Sequence, residues 1–163
     1  MTDLNKLLTP LFLNEKEIRK IIELFFFSYR DFTAGPDKIL EKISFGRAHH
    51  RIIYFVGKQK KITIKELLSI LQITKQSLSR VLNQLVKQDY ILLSIGLDKR
   101  TKNLSLTKKG EDLERKLSNV QINKIRNIIK KFNEKDINGF KKVLYNFIDE
   151  KNKTKFKEIN FIE

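Results

Sequence analysis

The sequence predicts a mainly α-helical chain with one small two-stranded β hairpin. Three observations predict this fold class. Apolar residues recur at helical spacing along most of the 163 residues, capping motifs stand at the starts of these segments, and a strand-like pattern occurs in only two short stretches. The 40% hydrophobic content is enough for a packed core. We expect one intertwined domain, with a helical region formed by residues 1–45 and 111–163 and a lobe formed by residues 46–110.

The first long helix is predicted to begin after Asn14, which forms a capping box with Glu17. Its apolar residues follow one helical stripe, and further apolar residues widen that stripe: Ile18, Ile21, Ile22, Leu24, Phe25, Phe26, Phe27, Tyr29 and Phe32. A helix with so wide an apolar surface needs cover from two sides, which in a chain of this size indicates a partner subunit. Gly35 and Pro36 are expected to end the helix, before a short helical piece at residues 39–43.

The next three predicted helices include a helix-turn-helix. One helix spans residues 47–56 and is expected to stop at Gly57 in the C′ position. Thr63 and Glu66 form a capping box that opens a second helix, and Thr74 caps a third that runs to about residue 88. Two short helices joined by a tight turn form a helix-turn-helix. The third helix is apolar on one face, whereas its outer face carries hydrogen-bonding groups and cations but no acid: Gln76, Ser79, Arg80, Asn83 and Lys87.

A hairpin and two further helices complete the predicted order. Residues 90–95 and 103–106 are predicted strands, and the loop between them is basic at its tip. Thr107 caps a long helix, and Asn133 caps the next. The segment after Glu150 is polar and is expected either to fray or to dock through its apolar side chains: Phe156, Ile159, Phe161 and Ile162.

The positive charge is concentrated in the middle of the chain. The whole chain carries 34 basic and 19 acidic residues, a formal net charge of +15, and residues 58–110 hold twelve of the basic and three of the acidic residues. Coding bias that favours lysine would spread the charge evenly. A compact positive segment is instead typical of a protein with a polyanionic partner, either nucleic acid or a membrane surface.

Several chemistries are excluded by what the sequence lacks. There is no cysteine, and therefore no disulfide, thiolate nucleophile or Cys-containing metal site. We find no nucleophile triad, paired carboxylates or phosphate-binding loop, so we expect neither an enzyme nor a cofactor. His49 and His50 are adjacent on a helix and point about 100° apart, which argues against a shared metal.

The longest uncharged runs are eight residues, too short to cross a bilayer, and the N-terminus lacks the pattern of a signal peptide. A cytoplasmic location is expected.

The predicted order of elements is that of a winged helix-turn-helix, and its residues resemble the MarR family of bacterial transcription regulators. The family pattern D-x-R, three residues, L-x-L-T-x-x-G is matched by residues 98–100 and 104–110. Leu67, residues 73–78 and Leu85 fit the paired helices, and the resemblance spans about residues 15–150. Residues 45–51 and 74–78 are also similar to an alphaproteobacterial branch of that family, the PetP-type regulators.

The resemblance implies an obligate homodimer in which residues 1–45 and 111–163 intertwine. It further implies a recognition helix in each of two successive major grooves of a palindromic operator, with the wings near the minor grooves. It also implies a ligand-responsive repressor, with a pocket for a small anionic aromatic ligand between the two regions. The residues suited to line that pocket are Tyr29, Arg30, Arg47, His49, His50 and Arg51. The alternative for these side chains is polar packing between helices.

The chemistry of the outer face agrees with DNA binding. Gln76 is suited to adenine, Arg80 to guanine or a phosphate, and a wing Arg100, braced by Asp98, to a narrow minor groove. The predicted DNA-contacting set is Lys75, Gln76, Ser77, Ser79, Arg80, Asn83, Lys87, Asp98, Lys99, Arg100 and Lys102. The alternative is a winged-helix protein-interaction module without specific DNA binding, whose basic face reflects coding bias alone.

Overall fold

A computed structural model of the chain describes residues 14–59, 61–96 and 100–161. Of residue 161 it describes the backbone only. In these ranges the elements follow in this order: α1 (Glu15–Glu41), α2 (Arg47–Lys58), β1 (Ile62–Thr63), α3 (Ile64–Leu71), α4 (Lys75–Lys87), β2 (Ile91–Ile95), β3 (Lys102–Leu106), α5 (Lys108–Ile129), α6 (Glu134–Asn146) and α7 (Glu150–Phe161). The predicted fold class, mainly α with a small β wing, is confirmed.

Helix α1 begins as predicted but does not end at Gly35 and Pro36. Asn14 Oδ1 accepts a hydrogen bond from the backbone N–H of Glu17 at 3.0 Å. The helix then continues through both breakers to Glu41, so the predicted separate piece at residues 39–43 is largely its last turn. A helical residue before proline is disfavoured partly by its Cβ, which Gly35 lacks. Gly35 also faces α5, where a Cβ would lie 2.5 Å from Val120 Cγ1. Close packing of α1 on α5 therefore overrides the local stop signal.

Gly57 was also misread as a helix terminator. Helix α2 continues to Lys58, with Gly57 inside it and no glycine of the described residues at positive φ. A Cβ at Gly57 would lie 2.9 Å from Leu106 Cδ1 and 3.2 Å from Glu114 Cγ. The glycine thus lets α2 approach the end of β3 and the start of α5.

The helix-turn-helix is confirmed at α3 and α4. Thr63 Oγ1 accepts from the N–H of Glu66, whose carboxylate in turn accepts from the N–H of Thr63 at 2.8 Å. Gln72 ends α3 in the left-handed conformation, with φ 49° and ψ 44°. Thr74 then caps α4. The turn between the helices is therefore only three residues long.

The wing is a three-stranded antiparallel sheet, one strand more than predicted. Strands β2 and β3 form the expected hairpin, with Ile91 opposite Leu106 and Leu93 opposite Leu104. The two-residue strand β1 pairs with the other edge of β3, placing Ile62 opposite Leu104. Two residues are too few to show a period-two pattern, so this strand was not predictable from the sequence.

The C-terminal part consists of three helices. Thr107 and Asn133 cap α5 and α6 as predicted. The segment after Glu150 is not frayed, because it forms α7. The ring of Phe156 contacts that of Tyr145, with centroids 5.9 Å apart. Of the four apolar residues predicted to dock there, the side chain of Phe161 and the whole of Ile162 lie outside the described residues.

The core lies in the lobe, between α2, α3, α4, the sheet and the ends of α1 and α5. Its fully buried side chains include Leu40, Ile52, Ile53, Ile62, Leu67, Leu78, Leu85, Ile91, Leu104 and Leu117. The N-terminal half of α1 and the helix α6 contribute no hydrophobic residue to it, although both are rich in them. Among the described residues, no helix is both long and apolar enough to cross a membrane.

Candidate nucleic-acid interface

Helix α4 exposes a polar surface because its apolar side chains all turn into the core. Leu78, Val81, Leu82 and Leu85 are buried. Every residue of α4 that was predicted to contact DNA is exposed: Lys75, Gln76, Ser77, Ser79, Arg80, Asn83 and Lys87. The helix contains no acidic residue. The structure therefore brings these side chains together on one uniformly neutral or positive helix.

The first turn of α4 is fixed by its cap. Thr74 Oγ1 accepts from the backbone N–H of Ser77 at 3.1 Å and donates its own hydrogen to Ser77 Oγ at 2.9 Å. Ser77 accepts that bond, so its hydroxyl hydrogen remains available to an external acceptor. Helix N-termini attract anions through unpaired N–H groups and the helix dipole. Together with Lys75 and Ser77, this turn is suited to a phosphate group.

The described part of the wing carries two exposed cations. Arg100 and Lys102 stand at the loop end of β3. The strands are held there by a 2.9 Å hydrogen bond from the N–H of Gly96 to the carbonyl oxygen of Thr101. A Cβ at Gly96 would lie 2.5 Å from Thr101 Oγ1, so a larger residue here would displace the Thr101 side chain. Asp98 and Lys99, also predicted to contact DNA, lie outside the described residues.

The base of the wing is joined to the end of α4. Thr107 Oγ1 donates to the carbonyl oxygen of Asp89 at 2.6 Å. Lys109 Nζ donates to the carbonyl oxygen of Gln88 at 2.8 Å and lies 4.3 Å from the centre of the Tyr90 ring. Sequence reasoning missed the role of Lys109, although its place inside the T-x-x-G motif was a signal. These contacts make the wing and α4 one unit.

A cleft of about 560 Å³ lies on the other side of α2, between α1 and α5. Four of the six predicted ligand-pocket residues line it: Tyr29, Arg47, His50 and Arg51. Sequence reasoning missed the rest of the lining, which is mainly apolar and aromatic: Phe32, Thr33, Tyr54, Phe55, Ser118, Gln121, Ile122 and Ile125. Tyr54 and Phe55 follow Arg51 by one helical turn, which was a usable signal. A mainly apolar cleft with a few convergent cations suits a small aromatic anion.

The cations of the cleft are held in place by neighbours. Arg47 pairs with Asp37 at 2.8 Å, and its guanidinium lies 5.6 Å from the centre of the Tyr29 ring. Arg51 Nη2 donates to Tyr29 Oη at 3.4 Å. Burial lowers the pKa of His50, and Arg51 lowers it further, against the opposing effects of Asp37 and Glu114. The imidazole is therefore neutral near pH 7 and adds a hydrogen-bonding group rather than a charge.

Two predicted pocket residues lie elsewhere. His49 is buried in the lobe, where its ring stacks on Phe45 with centroids 4.2 Å apart. Its Nδ1 accepts from the N–H of Gly46 at 3.1 Å, so Nε2 carries the proton and donates to Gln84 Oε1 at 2.8 Å. Arg30 pairs with Asp31 and covers the Phe27 ring. His49 therefore joins α2 to α4 as a structural residue, and neither it nor Arg30 lines the cleft.

No cluster of three His, Asp or Glu side chains suited to a metal occurs in the described ranges.

The chain is similar to known transcription regulators. The MarR family model matches residues 44–100, from the start of α2 to the wing. The HTH-type transcriptional regulator PetP of Rhodobacter capsulatus is 43% identical over 142 residues, which cover 86% of this chain and 86% of that protein.

Solved structures share the fold over most of this chain at lower identity. A crystal structure of a MarR family transcription regulator superimposes with a TM-score of 0.70 at 16% identity, covering 81% of this chain and 88% of that one. A mutant of MarR from E. coli, crystallised in complex with operator DNA, gives a TM-score of 0.65 at 18% identity, covering 86% of this chain and 100% of that one. At these identities the likeness establishes the fold.

Proposed function

We propose that this chain, which belongs to the MarR family of helix-turn-helix transcription regulators, binds a palindromic operator as a homodimer and acts as a ligand-responsive repressor. The predicted family membership is confirmed by the relative that is 43% identical, a PetP regulator as the resemblance suggested. A regulator of this family is a DNA-binding protein rather than an enzyme, as the sequence predicted.

The acid-free outer face of α4 carries the proposal. The seven side chains of α4 that were predicted to contact DNA are all exposed, and the wing beside it adds Arg100 and Lys102. An α-helix fits the major groove, where amide and guanidinium side chains discriminate bases through paired hydrogen bonds. Gln76 and Arg80 lie within the first two turns of α4, and we assign them to base recognition. Arg100 and Lys102 are assigned to the flanking backbone and minor groove.

A homodimer would supply the two-fold symmetry that a palindromic operator requires. The N-terminal half of α1 exposes large apolar side chains, and Phe25 in that half contacts Phe147 after α6 with ring centroids 4.8 Å apart. We propose that these two elements form the dimer interface, with residues 1–45 and 111–163 as the dimerisation region. A two-fold dimer presents two α4 helices, which we expect to read half-sites about 10 to 10.5 base pairs apart.

The cleft between α1, α2 and α5 is the proposed effector site. It lies between the dimerisation region and the lobe, so a ligand that prefers one arrangement of the two changes the distance between the recognition helices. An aromatic carboxylate such as salicylate is expected to raise the melting temperature and weaken operator binding. Arg51→Ala should abolish both effects. Unchanged melting and DNA affinity across a panel of phenolic acids would reject this part of the proposal.

The decisive experiment compares a substitution that removes a base-recognising side chain with one that removes a positive charge from the wing. Gln76→Ala should relax base preference at one position in each half-site, at a cost of about 1 to 3 kcal/mol, and leave binding to random duplex DNA nearly intact. Arg100→Ala should weaken binding to all sequences, most of all at A·T-rich flanks, and lower the salt slope by about one unit per wing.

Lys116→Ala on α5 is the matched control, since it removes the same charge from an exposed site outside α4, the wing and the proposed dimer interface. Affinity measured across a range of salt concentrations separates the cases. If Gln76→Ala and Arg100→Ala both left DNA affinity and salt slope unchanged, the basic face would reflect coding bias alone. A protein-interaction module would then replace the DNA-binding regulator as the proposed function.

A further inference from the structure

Helix α7 contacts the DNA-binding lobe at two separate points. Near its start, Asn152 Oδ1 accepts a hydrogen bond from Gln72 Nε2. Near its end, Asn160 Oδ1 accepts one from Lys58 Nζ at 2.8 Å. Eight residues of helix place these contacts about 12 Å apart along the helix axis. Two contacts at that separation constrain the orientation of α7 relative to the lobe as well as its distance from the lobe.

The first contact falls on the turn of the helix-turn-helix. Gln72 is the left-handed residue that ends α3, and its N–H donates to the carbonyl oxygen of Leu68 at 2.9 Å. Two residues later Thr74 caps α4. The angle between α3 and α4 depends on the conformation of this turn, so a hydrogen bond to Gln72 bears on the orientation of the recognition helix.

Side chains, rather than close helix packing, make the connection. A cleft of about 520 Å³ separates α7 from α2 and α3, with Tyr54 and Ile70 on one side and Phe156 and Ile159 on the other. The pKa of Glu66 in the α3 capping box is lowered first by hydrogen bonds from Thr63, and Lys155 of α7 adds to this effect. The polar contacts therefore determine how α7 sits against the lobe.

At its other side α7 is joined to the dimerisation region. The Tyr145 ring of α6 contacts Phe156, and Lys153 Nζ lies 5.2 Å from the centre of the same tyrosine ring. Phe147, just after α6, contacts Phe25 of α1. A continuous series of contacts thus runs from α1 through α6 and α7 to the turn before α4, in addition to the direct connection through α2 and α5.

We propose that Asn152 and Asn160 are positioning residues for DNA binding. Through them α7 fixes the helix-turn-helix relative to the dimerisation region and narrows the range of half-site spacings that the dimer accepts. This inference rests on the proposed function, because spacing matters only to a dimer that binds two half-sites.

The first test needs no DNA. In the full-length protein, the double variant Asn152→Ala/Asn160→Ala is compared with Thr154→Ala, which changes an exposed uncharged residue of the same helix. Amide hydrogen exchange in residues 72–77 should quicken about three- to tenfold in the double variant and stay unchanged in the control. Equal exchange in both variants would show that α7 does not hold the turn, and would overturn the inference.

The second test measures operator spacing. Operators are selected from random duplexes with wild-type protein, and their half-sites are then moved apart or together by one base pair. The double variant should lose about three- to tenfold in affinity for the best spacing while binding the shifted operators almost as well as the wild type does. A purely structural role would lower all affinities by one common factor and leave the ratio between spacings unchanged, which would also overturn the inference. If the wild type selects no operator, the proposed function itself fails, whereas the exchange measurement still reports whether α7 holds the turn.

Discussion

Gly110 shows what the T-x-x-G part of the wing motif does. A Cβ at this residue would lie 2.1 Å from the carbonyl oxygen of Tyr90, a distance that no side chain tolerates. The same oxygen accepts from the N–H of Thr107 at 3.1 Å, and Thr107 Oγ1 accepts from the N–H of Gly110 at 3.0 Å. Thr107 and Gly110 together place the start of α5 against the start of β2. The motif therefore encodes the joint between the wing and α5.

His50 gives the stability of the protein a dependence on pH. Its pKa is lowered in the folded chain, chiefly by burial, so the unfolded chain binds more protons at mildly acidic pH. The free energy of unfolding therefore includes the full contribution of neutral His50 above pH 6.5, the ordinary pKa. This contribution is lost as the pH falls from 6.5 to below the lowered pKa of the folded chain. Chemical denaturation between pH 7.5 and 5 should show this fall, and His50→Asn should make the profile flatter. A profile that Asn does not change would mean that the imidazole titrates as it does in water.

The two adjacent histidines mark the limit of residue-level prediction. The sequence shows that their side chains point about 100° apart, but not which one enters the core. His49 is buried because Gln84, 35 residues away on α4, accepts a hydrogen bond from its Nε2, and because Phe45 stacks on its ring. Such a long-range partner leaves no local pattern. Arg30 differs, because its partners are local in the chain: its side chain pairs with Asp31 and covers the Phe27 ring.

At the scale of elements, helix starts were predicted well, whereas the two helix ends predicted from glycine were wrong. Asn14, Thr63, Thr74, Thr107 and Asn133 all cap helices, because a cap is a local hydrogen bond between a side chain and the backbone three residues on. Gly35 and Gly57 lie inside helices, because close approach to another element, not backbone freedom, is what each glycine provides. A single sequence does not reveal which use a glycine serves.

The packing of α1 on α5 can be tested at Gly35. Gly35→Ala adds a Cβ that would lie 2.5 Å from Val120 Cγ1, so it should lower the free energy of unfolding by about 1 to 3 kcal/mol despite the higher helix propensity of alanine. Gly139→Ala in α6 is the control, since nothing lies within 4 Å of the added Cβ, and it should stabilise by about 0.5 to 1 kcal/mol. Urea denaturation measures both. Val120→Ala combined with Gly35→Ala should recover part of the loss, and equal effects of the two glycine substitutions would refute the packing argument.

The whole molecule divides into a lobe with a complete core and a helical region without one. The lobe supplies most of the fully buried side chains, whereas on α1 and around α6 the exposed fraction is 64% for Phe26, 59% for Phe140 and 60% for Phe147. A monomer seldom exposes so large an apolar surface in one region. The sequence indicated this surface through the width of the α1 stripe. It could not indicate that α7 would fold back onto the helix-turn-helix, because the partners of α7 on the lobe, Lys58 and Gln72, lie 102 and 80 residues away in the chain.

The proposed homodimer rests on that surface and can be tested by charge substitution. Phe25→Asp puts a carboxylate where α1 meets Phe147, and burying it in a dimer interface costs several kcal/mol, so association should be lost. An obligate dimer has no stable separate subunit, so cooperative unfolding should be lost as well, and the melting temperature of the wild type should rise with protein concentration.

Ile95→Asp is the matched control for Phe25→Asp. Ile95 is an apolar residue of β2 with 75% of its surface exposed, outside the proposed interface. Its substitution should leave a folded dimer of twice 19.3 kDa. Light scattering and thermal melting at micromolar concentration decide the matter. If the wild-type chain stays folded as a 19.3 kDa monomer, the proposed dimer is wrong, and so is the proposal that the operator has two half-sites.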